Sequence, residues 1–98
     1  MKDFRTFDLA VQFYRLTTTF RLPSHLREQL ARAASSIALN LAEGRGRLTP
    51  QDQKRFYGIA MGSFRECQAI LELAGNTSAE ALADSLGAHL YRLIQSRG

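Results

Sequence analysis

Residues 29–47, QLARAASSIALNLAEGRGR, decide the fold of this 98-residue chain. Projected at about 100° per residue, the stretch is a long helix with an apolar stripe and, well round the cylinder, a stripe of small residues. The apolar stripe begins just upstream and comprises Leu26, Leu30, Ala33, Ala34, Ile37 and Leu41, and the small-residue stripe comprises Ala31, Ser35, Ala38 and Ala42. Such a helix has no ordinary solvent face, so it needs neighbours on several sides.

Three more amphipathic helices flank this one. The four predicted helices span about residues 5–18, 24–44 and 50–74, with the last beginning at residues 77–80. Ser24 is the expected N-cap of the second helix, and Thr49 followed by Pro50 is that of the third. No stretch is typical of a strand. We therefore predict an all-α fold, an up-and-down antiparallel four-helix bundle in one domain over residues 1–98.

The apolar surface exceeds what one bundle hides. A closed bundle buries one stripe per helix, and a large exposed apolar patch is unusual on a monomer. The first helix carries two apolar stripes on nearly opposite sides, one of Phe4, Phe7, Val11, Tyr14 and Thr18 and one of Leu9, Phe13, Leu16 and Phe20. We expect self-association through the second of these stripes and through Ala31, Ser35, Ala38 and Ala42 of the second helix. In the third helix, Gly58, Gly62 and Ala69 form a strip that another backbone could approach. The alternative is that loops and chain ends cover these faces.

The net charge of +4 is unevenly distributed. Residues 1–58 carry ten Lys and Arg against five acids, whereas residues 59–98 carry three against four. A cluster of four cations, Arg45, Arg47, Lys54 and Arg55, is the candidate nucleic-acid contact. Tyr57 is the one aromatic residue placed to stack on a base. The alternative is a set of solvated charges on a merely basic protein.

Nothing in the chain is typical of an active site. His25, His89 and the lone Cys67 have no nucleophile, carboxylate cluster or metal-ligand spacing around them, so we expect no enzyme activity, no metal and no cofactor. Cys67 is expected in the core, with a reactive thiol as the alternative. No apolar run is long enough for a bilayer and no leader sequence is visible, so we expect a cytoplasmic protein without a membrane partner.

A line of polar residues follows the second helix. It comprises Arg32, Ser36, Asn40 and Glu43, with Glu66 expected opposite on the third helix. Asn40 and Glu43 invite a functional interpretation. We favour a structural one, because an enclosed helix must satisfy its polar groups by hydrogen bonds. An ion pair between Arg32 and Glu66 would fix the register of two helices or of two subunits.

Several of these residues also carry a family resemblance. The signature comprises Gln29-Leu30, Arg32-Ala33-Ala34, Ser36-Ile37, Asn40 and Ala42-Glu43-Gly44, followed by Ile59-Ala60, Gly62-Ser63 and Glu66. In this the chain resembles the bacterial four-helix bundle proteins. That group includes proteins encoded in intervening sequences of large-subunit ribosomal RNA genes, and the accessory variability determinants of diversity-generating retroelements are its relatives. Many relatives have a proline where this chain has Ala38.

The resemblance implies a ring of five subunits, whereas the residues alone indicate only that the protein is not a monomer. We therefore expect a non-enzymatic, ring-like homo-oligomer that binds RNA or DNA through charge and shape, or an adaptor for a protein partner such as a reverse transcriptase. The alternative is a protein-protein interaction scaffold with no nucleic-acid role.

Overall fold

The computed structural model describes residues 4–96, which form four α-helices and no strand. The helices are α1 (Arg5–Thr17), α2 (Ser24–Arg45), α3 (Pro50–Ala74) and α4 (Glu80–Ser96). The predicted all-α class is confirmed. Residues 1–3 and 97–98, which the predicted domain includes, lie outside the described range.

The helices alternate in direction. Oγ of Ser36 on α2 lies 2.9 Å from Oγ of Ser63 on α3, and nearer the connection Gly44 faces Tyr57, so α2 and α3 run antiparallel. Each helix packs on its neighbours in the chain, and contact between α1 and α4 closes the bundle. The predicted up-and-down four-helix topology is confirmed.

Of the two N-caps predicted from the sequence, one is present in the structure. Oγ1 of Thr49 accepts a hydrogen bond of 3.1 Å from the amide of Asp52, so the predicted N-cap of α3 is present. Ser24 is instead the first residue of α2, and Pro23 stands at the N-cap position. The helix thus begins one residue earlier than predicted: the carbonyl of Pro23 accepts from the amides of Leu26 and Arg27, and no side chain caps this end.

The core corrects part of the predicted subunit interface. Leu9 and Phe13 are 3% and 0% exposed within the single chain, and the Phe13 ring centroid lies 6.1 Å from that of Phe64. Their assignment to a subunit interface is wrong, because α1 turns this stripe inward against the bundle centre. The other predicted interface residues, Leu16, Phe20, Ala31, Ser35, Ala38 and Ala42, are half-buried, and their role between subunits stays a prediction.

A different surface remains uncovered. Leu39 on α2 is 68% exposed and Ile59 on α3 is 44% exposed. A β-carbon added to Gly58 or Gly62 would meet nothing within 4 Å. We call these four residues the outer α2–α3 face. Within one chain, no other helix comes close to these two glycines. Close approach by a helix of a second chain stays a prediction.

Candidate functional site

The connection between α2 and α3 carries the cations singled out in the sequence. We call Arg45, Arg47, Lys54 and Arg55 the basic end. Arg45 ends α2, Arg47 lies in the connection, and Lys54 and Arg55 lie in the second turn of α3, so the fold gathers all four at one end of the bundle.

Arg47 is held by two acids and a ring. Its Nη2 lies 2.9 Å from Oε2 of Glu43, and its Nε lies 3.7 Å from Oδ2 of Asp52. Cζ of Arg47 also lies 4.6 Å from the centroid of the Phe56 ring, within the range of a cation–π contact. The Nε atom is buried and has no hydrogen-bond partner among the described residues.

Arg55 converges on the same acid and the same ring. Its Nη2 and Nε lie 3.1 Å and 3.2 Å from Oδ1 of Asp52. Its Cζ lies 4.5 Å from the centroid of Phe56. Asp52 therefore bridges two guanidinium groups that share one aromatic support. We call Arg47, Asp52, Arg55 and Phe56 the Asp52 cluster.

The other two cations of the basic end are less constrained. Arg45 and Lys54 are exposed, and neither makes an ion pair with a described residue. Cζ of Arg45 lies 4.7 Å from the centroid of Phe4, which precedes α1. The exposed Arg5, the first residue of α1, therefore lies at the same end. The sequence analysis did not include this cation because it is 40 residues away from Arg45 along the chain.

Tyr57 does not serve as a base-stacking platform. Its side chain is 0% exposed, and its ring centroid lies 6.4 Å from that of Phe4 inside the core. The prediction failed because Tyr57 lies on the face of α3 that packs against α2, where Gly44 leaves room for the ring. The aromatic residue nearer the surface is Phe56, which is half-buried and contacts two arginines.

The polar line on α2 forms hydrogen bonds within the bundle. Nδ2 of Asn40 donates to the carbonyl and to Oγ of Ser36, at 2.9 Å and 3.0 Å. The Ser36 hydroxyl in turn meets Ser63 on α3. Arg32 and Glu66 are both exposed and form no ion pair with each other in the described chain. Ser36 and Ser63 therefore link the two helices where that ion pair was expected, and a pair between subunits stays a prediction.

The two histidines and the cysteine have no surroundings typical of an active site in the described part of the chain. Nδ1 of His89 lies 2.8 Å from the carbonyl oxygen of Ser85, one turn earlier, and His25 is exposed. Burial, followed in size by the charge of Glu66, raises the pKa of the Cys67 thiol to about 12. The thiol is therefore protonated at neutral pH and a poor nucleophile. Residues 4–96 contain no group of three His, Cys, Asp or Glu arranged to hold a metal ion.

The opposite end of the bundle differs in charge. An open groove of about 440 Å³ lies at the connection between α3 and α4, and its lining includes the carboxylates Glu72, Glu80 and Asp84 but no described cation. An anionic ligand is disfavoured there.

None of the four helices between residues 4 and 96 has both the length and the apolar character that a membrane-spanning helix needs.

Comparison with known families agrees with the signature in α2 and α3. The family model for the 23S rRNA-intervening sequence protein matches residues 4–95. The chain belongs to this family. Comparisons with curated proteins and with solved structures gave no match. Membership confirms the resemblance to proteins of ribosomal RNA intervening sequences, while the relation to retroelement accessory proteins stays a prediction.

Proposed function

We propose that this protein is a non-enzymatic nucleic-acid-binding protein, and that it holds structured RNA through the basic end. The observation that carries the proposal is the charge balance there. Among residues 4–96, the four cations of the basic end form ion pairs with two carboxylates, those of Glu43 and Asp52, so positive charge is in excess in the part of this end that the structure describes. A surface of this kind attracts the phosphate backbone. Because the family is named for intervening sequences of 23S rRNA, structured RNA is the first ligand to test.

The contacts of the basic end favour recognition by charge and shape. Sequence-tolerant readers of single strands stack bases on exposed aromatic rings. At this end, Tyr57 is buried and the Phe56 ring is in contact with Arg47 and Arg55. Base stacking on described aromatic residues is therefore not part of the proposal, and neither is sequence specificity.

The proposal includes self-association. Leu39 and Ile59 are exposed on the outer α2–α3 face, and the open positions at Gly58 and Gly62 would let another helix come close. In a ring, which the family resemblance implies with five subunits, each copy would add one basic end to a shared positive rim. An adaptor that holds an RNA template beside a reverse transcriptase is the more specific form of this role.

The test is a titration of structured RNA and duplex DNA at several salt concentrations. We expect log K to fall against log salt with a slope of about 0.7 to 0.9 per neutralised phosphate. A double variant, Arg45→Glu with Lys54→Glu, should weaken binding strongly without changing the oligomer mass. The matched control is Arg21→Glu with Arg27→Glu at the other end of α2. Equal losses in both pairs would overturn the assignment of the site.

An interaction scaffold with no nucleic-acid role is the second candidate, favoured by the exposure of Leu39 and Ile59. Its test combines light scattering with the same titrations. A stable oligomer that binds neither RNA nor DNA at low salt would favour the scaffold. Leu39→Asp should then dissociate the oligomer, whereas Leu73→Asp, on an α3 residue that is 77% exposed, should not.

A further inference from the structure

We propose that Arg47 and Arg55 form a phosphate subsite that the side chain of Asp52 occupies in the free protein. On binding, a backbone phosphate of the nucleic acid would replace the carboxylate between the two guanidinium groups. This inference rests on the proposed function, since it identifies one phosphate contact within the basic end. It makes Asp52 a competitor that weakens binding in the resting protein.

The first support is the bridging geometry of Asp52. Oδ1 faces Arg55 at 3.1 Å and 3.2 Å, whereas Oδ2 faces Arg47 at 3.7 Å. One anion with two oxygens thus lies between two arginines. A phosphodiester also offers two unesterified oxygens, and guanidinium groups bind such paired oxygens well.

The second support is an unsatisfied donor. Nε of Arg47 is buried without a hydrogen-bond partner among the described residues. The 3.7 Å to Asp52 is longer than a hydrogen bond, so the carboxylate attracts this group without satisfying it. A buried donor without a hydrogen bond raises the free energy of the folded protein, so an anion that reaches this Nε atom would gain binding free energy. The two unesterified oxygens of a phosphodiester lie further apart than the two oxygens of a carboxylate. They can therefore reach both arginines at hydrogen-bond length.

The third support is that the arginines would stay in place when the carboxylate leaves. Both guanidinium groups lie against Phe56, at 4.6 Å and 4.5 Å from its centroid. Arg47 is also held by Glu43 at 2.9 Å. The Asp52 side chain is 35% exposed, so it can rotate into water while its amide remains bonded to Thr49.

The experiment measures RNA affinity of the full chain with Asp52→Asn and, as a matched control, Asp84→Asn. Both variants remove one negative charge, but Asp84 lines the groove at the opposite end. We expect Asp52→Asn to bind a structured RNA about three- to tenfold more tightly, with the salt slope steeper by up to about one phosphate. Asp84→Asn should change the affinity less than twofold. Adding Arg47→Gln and Arg55→Gln to Asp52→Asn should abolish the gain.

Equal gains in Asp52→Asn and Asp84→Asn would overturn the inference, because net charge alone would explain them. Weaker RNA binding by Asp52→Asn than by the wild type would also overturn the inference, since Asp52 would then orient the arginines for binding. Circular dichroism checks that each variant is folded. If Asp52→Asn does not fold, the double variant Arg47→Gln with Arg55→Gln decides: it should lose affinity, and unchanged affinity would reject the subsite.

A second arm separates this inference from the proposed function. Inorganic phosphate is titrated at constant ionic strength while the thermal midpoint is followed. Stabilisation of Asp52→Asn beyond that of Asp84→Asn would support the subsite even if no RNA bound, in which case only the proposed function fails. RNA binding by the wild type without any difference between the variants would leave the proposed function standing and reject the subsite.

Discussion

The ring of Tyr57 lies directly on the backbone of Gly44. A β-carbon built at Gly44 would stand 2.7 Å from Cε1 of Tyr57 and 3.1 Å from Cβ of Phe56. Because no larger residue fits without movement, α2 and α3 can come this close only at a glycine. Because Gly44 directly precedes Arg45, this contact also sets the distance between the cations of α2 and those of α3 at the basic end.

Replacing Gly44 by alanine should therefore destabilise the protein by about 1 to 3 kcal/mol, the usual cost of inserting a carbon into a packed site. The measurement is the free energy of unfolding from urea denaturation at fixed protein concentration. The matched control is Gly58→Ala, where the added carbon meets nothing within 4 Å. At a protein concentration where the chain is a monomer, the gain in helix propensity there should stabilise the protein by up to about 1 kcal/mol. Equal effects at the two glycines would contradict the packing argument.

Phe13→Ala should lower the free energy of unfolding by about 3 to 5 kcal/mol, because it removes a buried ring and leaves a cavity beside Phe64. Denaturation in urea gives the value. Leu39→Ala, at a position 68% exposed, is the comparison, and it should change stability by less than about 0.5 kcal/mol in a single chain. A Phe13→Ala protein of unchanged stability but reduced oligomer mass would restore this residue to the subunit interface.

Tyr57→Phe should leave stability unchanged or raise it by up to about 1 kcal/mol. The Tyr57 hydroxyl is buried and has no hydrogen-bond partner among the described residues, so its removal relieves a desolvation cost and keeps the ring. The same urea experiment measures this, with Tyr91→Phe, at a residue 59% exposed, as the control. A loss above about 1 kcal/mol would show that the hydroxyl makes a bond in solution.

Cys67 should make stability depend on pH above neutrality. Burial raises the pKa of its thiol from 9.0 to about 12, so the folded protein keeps a proton that the unfolded chain loses. The contribution to stability is complete below pH 9 and is lost as pH rises toward 12. In that window the free energy of unfolding should fall by about 1.4 kcal/mol per pH unit from this group.

Because other groups of the protein also contribute to stability in alkaline solution, the quantity to compare is the slope of stability against pH in wild type and in Cys67→Ala. The cavity in the variant shifts the whole curve, whereas the missing thiol flattens it. Parallel curves between pH 9 and pH 11 would mean that the thiol ionises as easily in the folded protein as in the unfolded chain.

Local signals in the sequence predicted the helices well because they act within a few residues. Thr49 and Pro50 start α3, and Gly75, with a φ of +67°, ends it as the sequence predicted. The prediction of Ser24 as N-cap was wrong by one residue: α2 begins at Ser24 itself, and the N-cap position is Pro23, which has no side chain that could cap the helix. The candidate cations were likewise predictable, since they flank a short connection.

The sequence by itself determined the four helices, their antiparallel order, the cluster of cations at one connection and the family signature. Tertiary structure alone decided which stripe of α1 faces inward, that Tyr57 fills the space above Gly44, and that Asp52 stands between Arg47 and Arg55. Periodicity gives the faces of a helix but not the neighbour that each face meets. A helix with two apolar stripes can bury either one, and only packing against the other three helices makes the choice.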